Sequence, residues 1–219
     1  MNKKEIKSTV ERYNNMLEGF GVGEEALGWG KKGRSNLRFE ILLSQWNFKD
    51  ATVLDFGCGF GDLCGYMMKK RIAYSHYIGT DINANLIHEA KMRKYPNSTF
   101  LVQGSAMAQS KRKVDYVLSS GVFNFKLKDN SRFIRKSFAQ LDRLSKKGFA
   151  MNFISDKVDF KTTHNHYSNP GQILELAYQY SNNLVLRNDY MPFEFTLFVN
   201  KSSKINEKLN VYKEYENYV

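Results

Sequence analysis

The stretch Thr52-Val53-Leu54-Asp55-Phe56-Gly57-Cys58-Gly59-Phe60-Gly61-Asp62-Leu63 decides the fold. Its first five residues are a short apolar run of β-forming side chains, and three alternating glycines follow with no spacer. The sequence therefore predicts a buried strand that turns sharply into a helix. Glycine has no Cβ, so it permits positive φ and lets a ligand approach the backbone, while the helix opening near Gly61 is expected to aim free N–H groups at that ligand. A dinucleotide turn would read Gly-x-Gly-x-x-Gly and would need glycine where Asp62 stands.

Outward from this turn, the β-like run Tyr74 to Thr80 ends in Asp81, about 20 residues on, where open α/β folds set an acid on ribose hydroxyls. The competing role for Asp81 is to cap the helix starting near Asn83. The pattern Asp-x-Gly-x-Gly-x-Gly, with Asp55 as its acid, and the second acid at Asp81 resemble motif I and the ribose acid of the class I S-adenosylmethionine-dependent methyltransferases. The resemblance covers roughly residues 35 to 200. It implies S-adenosylmethionine as cofactor, held by Asp55, Gly57, Cys58, Gly59, Gly61, Asp81 and Ile82, and methyl transfer by in-line displacement. It also implies an α/β fold: a Rossmann-like, doubly wound, seven-stranded sheet, mostly parallel with an antiparallel last strand and helices on both faces.

Further assignments follow from the same resemblance. The glycine-rich loop Gly21 to Lys31 is expected to close over the cofactor, with Trp29 either stacking there or packing in the core. Arg38 could fork onto the methionine carboxylate, since a planar guanidinium matches a carboxylate bidentately, or form a surface ion pair. Ser105, with Ala106, occupies the turn where an acid commonly meets the adenine amino group. The turn Ser119 to Phe125 is where substrate and methyl group meet; there Ser120 is expected to contact the cofactor and Asn124, offering one hydrogen-bonding amide, is a catalytic candidate. That turn lacks an Asp/Asn-Pro-Pro-Tyr sequence, a ring-attacking cysteine and an acid for a catechol-type magnesium site. His164 and His166, in the polar segment 155–170, are candidates for a general base, because loops beyond the carboxyl ends of strands bind ligands. No third ligand accompanies them, so no metal is expected.

Hydrophobic spacing places helices over about 3–18 (Ile6, Val10, Tyr13, Leu17), 36–46, 62–70, 83–94, 131–144 and 171–180. Strands are expected at 52–56, 74–80, 99–102, 114–118, 148–154, 184–190 and 193–200. The last two are joined so closely through Pro192 that they must be antiparallel. The 219 residues suit one domain: N-terminal helices and lid loop at 1–46, the Rossmann-like core at 51–200, and a polar tail at 201–219.

The N-terminus is polar, so neither a signal peptide nor a membrane partner is expected, and two cysteines, Cys58 and Cys64, read as reduced thiols of a cytoplasmic protein. A net charge of +11 keeps nucleic acid open as a partner. Against it, basic runs such as Lys69-Lys70-Arg71 fall at helix ends, where cations suit the helix dipole. The leading functional expectation is a small-molecule O- or N-methyltransferase. The alternatives are an RNA methyltransferase and a non-catalytic binder of S-adenosylmethionine.

Overall fold

The computed structural model describes residues 1–29, 33–103 and 113–201. After α1 (Lys3–Phe20) and α2 (Arg34–Leu43), strand and helix alternate: β1 (Thr52–Phe56), α3 (Asp62–Lys69), β2 (His76–Asp81), α4 (Ala84–Met92), β3 (Ser98–Val102) and β4 (Val114–Ser119). The chain continues through α5 (Asn130–Leu144), β5 (Ser145–Ile154), α6 (Pro170–Tyr178), β6 (Asn183–Arg187) and β7 (Glu194–Asn200). The strands form one seven-stranded sheet in the order β3-β2-β1-β4-β5-β7-β6. β7 runs antiparallel to both neighbours, β5 and β6, and the other pairings are parallel.

Alternation along the strands assigns each side chain to one of two cores. Val53, Tyr116, Leu118, Ala150 and Phe198 pack with α2, α3 and α4 through Leu42, Leu63, Met67 and Ile87. Their neighbours Leu54, Val117, Phe149, Met151, Leu197 and Val199 pack on the opposite face with Phe138 and Leu141 of α5 and Ile173 of α6. The strands are buried on both faces, which is why they read as continuous apolar runs. β6 stops at Arg187, short of the expected Tyr190, because Arg187 turns back onto Asp189 with a forked ion pair. Among the described residues no helix is long and apolar enough to cross a membrane.

The strand order sets the position of the site. The chain enters the sheet at its centre with β1, builds outward to β3, then returns to lay β4 on the other side of β1. The loops after β1 and β4 therefore part in opposite directions and leave a crevice at the carboxyl ends of these strands.

Candidate active site

A cavity of about 400 Å³ opens at this crevice. Its lining includes Asp55, Gly57, Cys58, Gly59, Asp81, Ile82, Ser120 and Asn124, together with Trp29 and Arg38. Gly61 is absent from that lining, and Ser105 and Ala106 lie outside the described residues.

The three glycines of the turn all have positive φ, at 81°, 53° and 74° for Gly57, Gly59 and Gly61. A Cβ on Gly57 would stand 2.2 Å from Val122 in the loop after β4, and one on Gly61 would stand 2.7 Å from Phe100 of β3. These glycines let the turn pack against its neighbours. Within the turn itself, Gly57 and Cys58 both donate to the Thr80 carbonyl, at 2.7 and 2.9 Å, and Gly61 donates to the Cys58 carbonyl at 2.9 Å. Gly59 donates to Asp81 Oδ2 at 3.0 Å. The first turn of α3 also carries an acid, Asp62, paired with Arg93. A phosphate would meet engaged amides and a carboxylate here, which disfavours a dinucleotide and suits an uncharged or cationic ligand.

Asp81 is 9 % exposed. Its Oδ1 accepts from Asn83 N–H at 2.9 Å, so with the bond from Gly59 it ties the glycine turn to the start of α4. Each carboxylate oxygen has capacity for a further hydrogen bond, and Asp81 lines the cavity. Burial pushes its carboxyl above the usual range, opposed by the N–H groups of Asn83 and Gly59. The cap of α4 is Asn83, whose Oδ1 accepts from Asn85 and Leu86 N–H; Asp81 is not the cap.

Asp55 is buried and accepts from the Tyr77 hydroxyl. Burial pushes its carboxyl up to about 7, from an ordinary 3.8, with the Tyr77 bond working the other way. An acid whose folded pKa is raised keeps its proton in the folded state while the unfolded chain would lose it. Its contribution to stability is present at low pH and is lost as pH climbs from about 4 to about 7. The melting temperature of the wild type is expected to fall across that window, and Asp55→Asn to flatten the slope, as read by calorimetric scans at successive pH values. Burial likewise holds the Cys58 thiol well above its usual value, in keeping with a packing role.

Arg38 does not face solvent. Its Nε and Nη2 fork onto Glu194 of β7, and both partners are buried, at 6 % and 2 % exposure. The expected alternative of a surface ion pair is thus corrected to a buried one. The guanidinium lies 4.7 Å from the Trp29 ring centre, and Trp29 meets Phe39 edge-on at 5.8 Å. Trp29 packs on the core and lines the cavity at once.

Over the cavity lies α1, which has no buried residue of its own and turns Ile6, Thr9 and Tyr13 to the space below. It is held at three points. Asn83 Nδ2 donates to Asn14 Oδ1 at 2.9 Å, Glu5 accepts from Lys128 N–H at 3.2 Å, and Tyr13 meets Phe125 edge-on at 5.4 Å.

The two histidines do not enter the cavity; the residue between them does. Phe125 and Asn165 form an antiparallel bridge flanked by Lys126 N–H to the His164 carbonyl and His166 N–H to the Asn124 carbonyl. Residues opposed across such a bridge share a face, and in the extended segment 164–166 the flanking side chains take the other one. Phe125 and Asn165 line the cavity, whereas His164 is exposed and His166 half-buried outside it. Asn124 touches the cavity while its Oδ1 accepts from Ile154 N–H at 3.1 Å, fixing the loop to the end of β5. Phe125 and Asn165 were not singled out by sequence reading; the period-two alternation of an extended segment was the available signal. Among the described residues no group of three or more His, Cys, Asp or Glu is placed to hold a metal.

A family model described as a methyltransferase domain matches residues 53–148. Rv1506c of Mycobacterium tuberculosis, provisionally named a methyltransferase, is 29% identical over 161 residues, covering 69% of this chain and 94% of that protein. Two solved structures share the fold. DhpI in complex with S-adenosylhomocysteine (SAH) has a TM-score of 0.65 at 13% identity, over 91% of this chain and 98% of that one. Magnesium protoporphyrin IX methyltransferase of Synechocystis PCC 6803, with bound SAH, has a TM-score of 0.61 at 16% identity, over 89% and 95%. The matched methyltransferase domain spans the glycine turn and the solved structures share the fold, so the chain is similar to the class I S-adenosylmethionine-dependent methyltransferases.

Proposed function

We propose that this protein moves a methyl group from S-adenosylmethionine to an oxygen or nitrogen of a small-molecule acceptor. The observation that carries this reading is the switch-point cavity, with Asp55 and Asp81 on one wall and α1 as its roof. The residues present fit the cofactor. Asp81 has lone pairs for two ribose hydroxyls, the engaged amides of the turn leave no phosphate site, and two carboxylates favour a cation. When bound, S-adenosylmethionine supplies a methyl group on a sulfonium already activated for displacement.

The work left to the protein is positioning and exclusion of water. Asp81 would hold the ribose, Ile82 and Cys58 would pack beside it, and Ser105 and Ala106 are assigned to the adenine edge. Trp29 closes the far wall. A small acceptor is favoured because Ile6, Thr9 and Tyr13 cover the cavity, whose volume of about 400 Å³ falls in the range of small-molecule sites.

Calorimetric titration with S-adenosylmethionine, followed by an acceptor screen with methyl-labelled donor, tests the reading; absence of donor binding overturns it. Asp81→Ala is expected to weaken donor binding by more than about tenfold, since it removes a buried hydrogen-bonded acid. Unchanged affinity would remove Asp81 from the ribose site.

A further inference from the structure

Three residues that adjoin Gly121 each carry a buried polar atom without a hydrogen-bond partner: Trp29 Nε1, Ser120 Oγ and Asn152 Nδ2. Ser120 directly precedes Gly121 in the loop after β4. The Gly121 N–H donates to Asn152 Oδ1 at 2.7 Å, which fixes the carboxamide so that its nitrogen is the unpaired end. The Trp29 ring lies 3.5 Å from where a Cβ on Gly121 would stand. Trp29 and Ser120 both line the cavity. Buried polar groups left unpaired are uncommon and need a reason, and these three share a feature: each can donate a hydrogen bond. What they lack is an acceptor atom.

Charge decides what kind of acceptor atom. Arg38, the arginine that lines the cavity against Trp29, is already neutralised by Glu194, and the acids that line the cavity are Asp55, Asp62 and Asp81. A carboxylate placed on neutral donors here would be desolvated without a counter-charge. A carbonyl or hydroxyl oxygen would be satisfied in full. Position decides which molecule carries it. Asp81 ends β2, whereas Ser120 follows β4 two strands away, a lateral separation of about 10 Å at the usual strand spacing. An oxygen held there lies across the switch point from the ribose end.

We infer that Trp29 Nε1 and Ser120 Oγ, backed by Asn152 Nδ2, form a seat for an uncharged carbonyl or hydroxyl oxygen of the methyl acceptor. This rests on the proposed methyltransferase reading and narrows its substrate class. It assigns Arg38 a positioning role: the ion pair with Glu194 and the stack on Trp29 hold the indole where its N–H reaches the seat.

Fragment binding tests the seat without a known acceptor. Phenol, benzamide and benzoate are titrated by ligand-observed NMR against the wild type, Trp29→Phe and Ser120→Ala, each with and without saturating SAH. Trp29→Phe keeps an aromatic ring but removes the N–H together with the outer ring edge that packs on Gly121, so its loss is read beside that of Ser120→Ala, which removes a hydroxyl alone. Ser120→Ala removes an unpaired hydroxyl, so its melting temperature is expected to hold or rise. Phenol and benzamide are expected to bind the wild type and to lose about fivefold in each variant, with SAH affinity unchanged. Indifference of the fragments to both variants overturns the seat, as does benzoate binding best. A loss confined to SAH also overturns it, by moving the donors to the cofactor's own tail. Failure of SAH to bind the wild type would sink the methyltransferase reading separately, because the fragment titrations without SAH still report on the seat.

Discussion

Gly57→Ala is expected to destabilise the fold by about 3 kcal/mol, combining left-handed backbone strain with overpacking. The backbone at Gly57 has φ of 81°, a region that alanine enters only at a penalty. Its new methyl group would stand 2.2 Å from a Val122 methyl, far inside contact distance. Val122 belongs to the loop after β4, so this is the point where the two loops diverging from the switch point touch. Pushing them apart moves the floor of the cavity, and donor binding is expected to fall with stability. Urea denaturation reads the first effect and calorimetric titration the second. The double variant Gly57→Ala/Val122→Ala separates the causes: it should recover the steric part and retain the backbone part. If Gly57→Ala unfolds within about 0.5 kcal/mol of the wild type, the glycine is not demanded by packing, since surface-like changes fall in that range.

The steric role of Gly57 could not be read from its neighbours in sequence, because the side chain it makes room for arrives 65 positions later. What was legible was the local pattern. A β-forming run followed by alternating glycines forces strand, positive-φ turn and helix whatever the rest of the chain does, and the strand ending in Asp81 fixes the second wall. The hairpin around Pro192 announced the antiparallel β7. What stayed hidden was set by contacts between distant segments. The Gly57, Cys58 and Gly59 amides are engaged by the Thr80 carbonyl and by Asp81, partners that the neighbouring strand brings to them. The pair His164 and His166 attracted notice for its chemistry, yet a single bridge between Phe125 and Asn165 turns both rings away from the cavity and Asn165 toward it. Residue type suggests chemistry, but only pairing decides which face a side chain takes.

Arg38 shows the same limit and carries the other large expected effect. Its guanidinium was sought on a ligand carboxylate, but Glu194, 156 positions away, brings the carboxylate instead. Both groups are buried, so each is tolerated only because of the other. Glu194→Leu should destabilise the protein by about 3–5 kcal/mol, since it leaves a buried cation that cannot shed its proton. Arg38→Met should be milder, because a carboxyl group, unlike a guanidinium, has a neutral form. The double variant Arg38→Met/Glu194→Leu, which fills the volume with apolar atoms, should return most of the stability lost in Glu194→Leu. Guanidinium denaturation distinguishes these outcomes. Small and equal losses from the two single variants would show the pair to be solvated and would detach Arg38 from the orientation of Trp29. The predicted asymmetry would instead mean that one ion pair, made across the whole length of the chain, fixes the indole that closes the acceptor side of the cavity.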